Sequence, residues 1–190
     1  MQIKESIKRL ILIVIVLALL IFASMAWFIE NREVKGNNLS LLSEGTSDVS
    51  GELWQNINAT WTKIPSLKIE NMVAGQKLEY KVILKNITAV NKAVTLQLTE
   101  VLEDALNAPT KMIPMLSLSD VPALADGGTP SVGGKLDTLL INNNLTIYTG
   151  AIVNAGSTKD ILFSITLDSA AKNIYQEKKV NVKAVDVVYN

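Results

Sequence analysis

The chain has 190 residues, 48% hydrophobic and 19% charged, enough apolar material for one folded domain and a short membrane-directed segment. Eighteen basic side chains balance eighteen acidic ones, so no excess field draws the chain to nucleic acid or an acidic membrane surface. Cysteine and histidine are both absent, which excludes disulfides, thiolate nucleophiles, histidine bases and the common zinc and copper centres, and leaves the compartment open.

The N-terminus, MQIKESIKRLILIVIVLALLIFASMAWFIEN, sets Lys4, Lys8 and Arg9 before an apolar run that extends from Leu10 to Ile29. A helix of about 20 residues rises about 30 Å, enough to cross the hydrocarbon core. Basic residues before the run, with Glu30 and Glu33 after it, place the extreme N-terminus in the cytoplasm and everything beyond Ile29 outside. Ser24 and Ala26 have the small-residue spacing of a signal-peptidase site, with Trp27 as the new N-terminus. Residues 1–26 therefore read either as a signal peptide or as a retained anchor that holds the membrane through residues 10–29, with Trp27 at the interface.

From Ser40 onward the period changes to two. QKLEYKVILKN sets Leu78, Tyr80, Val82 and Leu84 on one face against charged residues on the other, the pattern of a half-buried strand. NITAVN is a turn, and KAVTLQLTEV repeats the alternation with Val94, Leu96 and Leu98 inward. The stretch 107–135 collects four of the five prolines and four glycines, and it predicts a long irregular excursion of the kind that is functional or mobile. DTLLINNNLTIYTG predicts a strand or hairpin around a turn at Asn142–Asn144. DILFSITLD alternates Ile161, Phe163, Ile165 and Leu167; SAAKNIYQEK predicts one or two helical turns; the last strand carries Val180, Val182, Ala184 and Val188 on one side. Short strands separated by turn signals predict an all-β, antiparallel sandwich over 40–190.

Few residues suggest chemistry. DGGTPSVGGKLD resembles a phosphate loop only loosely, because Thr129 stands five residues before Gly134 where glycine is needed and Leu136 follows Lys135 where Ser or Thr is needed. Glu100, Glu103 and Asp104 could form a glycosidase carboxylate pair, but a solvated strand end accounts for them and no pocket is implied nearby. Trp54 and Trp61 read as core or strand-edge packing rather than a sugar platform. Sequons at Asn38, Asn58, Asn86 and Asn144 matter only in a host that glycosylates exported proteins. No enzyme, cofactor or metal ion is expected.

Four stretches, in order, resemble the TasA/camelysin family of exported envelope and biofilm-matrix proteins: SMAWFIENREVKGNNLSL, LKIENMVAGQKLEYKVILKNITAVNKAVTLQL, KDILFSITLD and SAAKNIYQEKKVNVKAVDVVYN. Gly75 and Asn86 fall on the most characteristic positions of the second stretch, and Ala171, Asn173, Tyr175 and Gln176 match the helix-to-strand junction in the fourth. Ala74 replaces the family's turn proline and Lys172 its usual glycine. The resemblance implies a jelly-roll or immunoglobulin-like sandwich, export, cleavage by a dedicated signal peptidase, and self-assembly into extracellular fibres. In those fibres residues 27–39 of one subunit add a strand to the next, with Trp27, Ile29 and Val34 as donor side chains. Main-chain hydrogen bonds would close a sheet edge while alternate side chains fill pockets. The family's metallopeptidase label does not transfer, since the chain has no histidine. The alternatives are a membrane-anchored surface-display module presenting 107–135, and a pilin-like subunit that keeps its hydrophobic helix inside a filament.

Overall fold

The computed structural model describes residues 38–40 and 48–189. The expected signal or anchor segment, and with it Ser24, Ala26, Trp27, Ile29 and Val34, lies outside the described residues. The described residues form a mostly antiparallel β structure of two six-stranded sheets. In chain order the strands are β1 (Asn38–Ser40), β2 (Val49–Ile57), β3 (Thr60–Lys63), β4 (Ile69–Glu70), β5 (Lys77–Asn86), β6 (Lys92–Glu103), β7 (Leu116–Ser119), β8 (Thr129–Pro130), β9 (Gly134–Lys135), β10 (Leu145–Val153), β11 (Thr158–Leu167) and β12 (Lys179–Tyr189). One sheet runs β1-β12-β6-β10-β8, with β4 also on β12; the other runs β3-β2-β5-β11-β7-β9.

The period-two pattern dictates which faces meet. Tyr80, Val82 and Leu84 of β5 and Ile161, Phe163, Ile165 and Leu167 of β11 point into a shared core against Val94, Leu96 and Leu98 of β6. Tyr80 stacks on Phe163 at 5.4 Å, and its hydroxyl donates to the Lys68 carbonyl, so its polar end is satisfied inside. Burial pushes the Tyr80 phenol well above its ordinary range. Between β2 and β3, Asn58 and Ala59 both take positive φ, as a two-residue hairpin turn requires.

Three elements differ from expectation. Val188 faces solvent rather than the core, because the inward set on β12 changes phase: Val180 and Val182 are buried, and then Val185 and Val187. The cause lies on β6, where Glu100 has φ of 47° and the inward set jumps from Leu98 to Val101, so both strands shift face at the same rung. The Lys183 ammonium pairs with the Glu100 carboxylate at that crease. Leu136–Leu139 forms a single helical turn, α1, rather than a strand, and the turn at Asn142 and Asn143 leads into β10. The stretch 107–135 is ordered by packing: Met112, Leu116 and Leu118 are fully buried, and β7 and β9 extend one sheet while β8 joins the other. The helical turn expected in SAAKNIYQEK is a 3-10 turn at Asn173–Tyr175.

Candidate strand-addition edge

β12 is the long strand whose two sides are occupied differently. On one side β6 pairs it from Val180 to Tyr189. On the other, the described residues supply only two short strands. Glu70 and Ile69 of β4 lie antiparallel against Lys179 and Val180, and Asn38, Leu39 and Ser40 of β1 lie parallel against Ala184, Val185 and Asp186. A parallel neighbour cannot arise from a hairpin, so β1 reaches this edge as a separate piece of chain.

The sequence of β12 suits such a position. Ala184, Val185, Asp186 and Val187 are all buried, and successive side chains of a strand point to opposite faces, so both faces are covered here. Asp186 carries a carboxyl into that environment, where burial raises its pKa against the opposing pull of Thr99 and Lys183. At the strand's end the Asp48 N–H donates to the Tyr189 hydroxyl at 3.0 Å, and Lys92 Nζ lies 5.5 Å above the Tyr189 ring and 2.9 Å from the Asp48 carboxylate. These contacts bring the start of β2 beside the end of β12.

The other candidate residues separate. Glu100 pairs with Lys183, Glu103 accepts from the Ile113 N–H and the Asn107 amide, and Asp104 lies 3.3 Å from Lys179 Nζ, so each of the three carboxylates has its own structural contact. Among the described residues no group of three Asp or Glu could hold a metal ion, and no helix is long and apolar enough to cross a membrane. Trp54 and Trp61 lie outside the core, on the outward face of β2 and β3, with Lys81 Nζ 5.7 Å and 4.9 Å from their rings. The glycine loop serves packing: Gly128 has φ of +88°, and a Cβ there would fall 2.5 Å from the Tyr148 ring.

Two buried asparagines hold connections in place, and only one carries a sequence signal. Asn86, a sequon position, is fully buried; its Nδ2 donates to the carbonyls of Val90 and Val153, and its Oδ1 accepts from the Thr88 N–H and hydroxyl. The nitrogen that a glycan would modify is therefore spent inside the protein. Asn107 is equally buried and appeared in the sequence only as one polar residue before a proline. Of the other sequons, Asn144 Oδ1 accepts from the Glu100 N–H and Asn58 sits on the β2–β3 turn. No protein-family model, curated protein or solved structure matches the chain.

Proposed function

We propose that this chain is a non-enzymatic structural subunit of an extracellular fibre or biofilm matrix, of the TasA/camelysin type, assembled by addition of its N-terminal segment to a sheet edge of the next subunit. The observation that carries this reading is β1, a three-residue parallel strand from the N-terminal side that shares the outer edge of the eleven-residue β12 with only the two-residue β4 among the described residues. Where a long strand is paired along only part of its edge, its main-chain donors and acceptors can take a further strand, and among the described residues only β1 and β4 pair this edge. Gly75 supports the resemblance: it takes φ of +76° and its N–H donates to the Leu167 carbonyl, a turn suited to glycine. The connections β5–β6 and β10–β11 pass from one sheet to the other, as the wrapping of a jelly roll requires.

The test is the N-terminal sequence and intact mass of the exported protein, with negative-stain images of the same sample. A start at Trp27 together with filaments supports strand addition after cleavage. An intact Met1 in detergent-extracted, filament-free material moves the assignment to an anchored surface-display module. Within filaments, Val34→Asp should abolish assembly while circular dichroism stays native, since a charge would enter an apolar pocket. Normal filaments from that variant would remove residue 34 from the mechanism.

A further inference from the structure

Core packing is not what the fold gives Trp54 and Trp61. Both indoles are half-buried on the outward face of their sheet, and neither belongs to the core. They are diagonal neighbours across β2 and β3, since Trp54 pairs with Lys63 and Trp61 with Asn56. Both are held in place. Lys81 Nζ lies 5.7 Å and 4.9 Å from the two ring centroids, and Trp54 Nε1 donates to the Glu52 carboxylate at 3.3 Å.

Trp61 begins a row of side chains that crosses five strands. It faces Asn56 on β2; Asn56 Nδ2 donates to Glu79 on β5 at 2.6 Å; Glu79 pairs with Ser164 on β11, and Ser164 with Ser119 on β7. With strands about 4.8 Å apart, the row is roughly 19 Å long. Ser164 is small and buried, so nothing projects from the row between Glu79 and Ser119. Every member after the indole can make hydrogen bonds, and one bond is missing: Asn56 Oδ1 is buried and has no partner among the described residues. Buried acceptors are nearly always matched, so the row lacks a donor that a ligand could bring.

The charges beside the row select the kind of ligand. Lys63 pairs with Glu52, Lys77 with Glu79 and Asp120, and Lys81 with Asp160, at 2.7–3.7 Å. Each of these lysines already has an acidic partner, so the row offers no surplus positive charge to phosphates. A peptide strand would need a sheet edge or apolar pockets, whereas this row lies on a sheet face and is polar. A sugar ring fits both parts of it: a face of C–H bonds packs on indole, and a rim of hydroxyls both donates and accepts.

We propose that the outward face of β3-β2-β5-β11-β7 binds a neutral polysaccharide strand, with Trp54 and Trp61 stacking on sugar rings and Asn56, Glu79 and Ser119 bonding hydroxyls along the row. The site lies in the other sheet from β12 and does not depend on the fibre reading.

The test mixes the full-length chain with insoluble cellulose, chitin and the β-glucan curdlan and sediments each. Chain alone sets the background, so self-assembly is not scored as binding. Retention on at least one of the three, persisting in concentrated salt, is the expected result. Trp54→Ala combined with Trp61→Ala should lose about tenfold or more of that retention and keep its melting profile, because both rings lie outside the core. Ser119→Arg, which obstructs the far end of the row and touches neither ring, should weaken retention as well. Binding to none of the three, or retention unchanged in both variants, would overturn the site. Retention on heparin-agarose alone, lost as salt rises, would overturn it in favour of a polyanion site. A chain that binds polysaccharide and never forms filaments would overturn the fibre reading and leave this site standing.

Discussion

Two connections leave opposite ends of the molecule, each fastened by one buried asparagine, and they treat their apolar residues in opposite ways. The β5–β6 loop is five residues long, Ile87 to Asn91, and Asn86 holds it from inside. The connection after β6 is held by Asn107, whose Nδ2 donates to Glu103 and to the Lys179 carbonyl while its Oδ1 accepts from the Lys179 N–H. The short loop leaves Ile87 and Val90 in solvent. The long one turns back and buries Met112, Leu116 and Leu118. A buried amide, with all its hydrogen bonds made, sets where a connection leaves the fold; chain length then decides whether its apolar side chains can return to the core.

The largest way to break this comparison is to remove the shorter clamp. Asn86→Ala deletes four hydrogen bonds made by a fully buried side chain, which should cost about 4 kcal/mol and lower the midpoint by roughly 8–16 °C. An unchanged melt would mean the loop is held by its backbone contacts alone. On the long connection, Gly128→Ala is the sharper probe. Its Cβ would fall within 2.8 Å of the Ala151 nitrogen as well as against Tyr148, at a backbone φ of +88°. The expected loss is about 2–3 kcal/mol, read by urea unfolding. A neutral result would show that the outer part of 107–135 moves as a unit away from β10.

Much of the fold was legible because alternation is a local signal. Leu78 to Leu84, Val94 to Leu98 and Ile161 to Leu167 each announce a strand and its buried face within a few residues. Of these only Leu78 is partly buried rather than buried, at the start of its strand. The errors arise where one strand responds to another. Nothing in KKVNVKAVDVVYN tells of the crease, which lies at Glu100 across the sheet, so Val188 sits on the face opposite to the one its spacing predicts. The packing of 107–135 was hidden because prolines and glycines mark irregular backbone, and irregular backbone can be either packed or loose. The buried apolar residues there, Met112, Leu116 and Leu118, are spaced without a period. Little of the candidate edge was legible, since parallel pairing of β1 with β12 joins residues about 145 apart and leaves no mark on either strand.

The outer part of 107–135 also carries ion pairs, and they offer the smallest test of the same contrast. Lys135 Nζ lies 2.6 Å from the Asp168 carboxylate, tying β9 to the exit of β11, and the Ala170 N–H donates to the same side chain. The Lys135 hydrogen bond is the main influence holding the Asp168 carboxyl below its ordinary value of 3.8, with the Ala170 N–H second. A carboxyl depressed in the folded state contributes stability that is present above the unfolded value and lost as pH falls through the folded one. Asp168→Asn should therefore be slightly less stable than wild type at pH 7, and the difference should hold down to about pH 5 and close below 3.8. Both side chains are about a third exposed, so solvent and salt screen the pair and the effect should shrink further in concentrated salt. A difference that persists in strong acid would assign the role of Asp168 to its turn hydrogen bond and not to its charge. In that case the long connection would depend on hydrogen bonds at both of its ends, as it already does at Asn107.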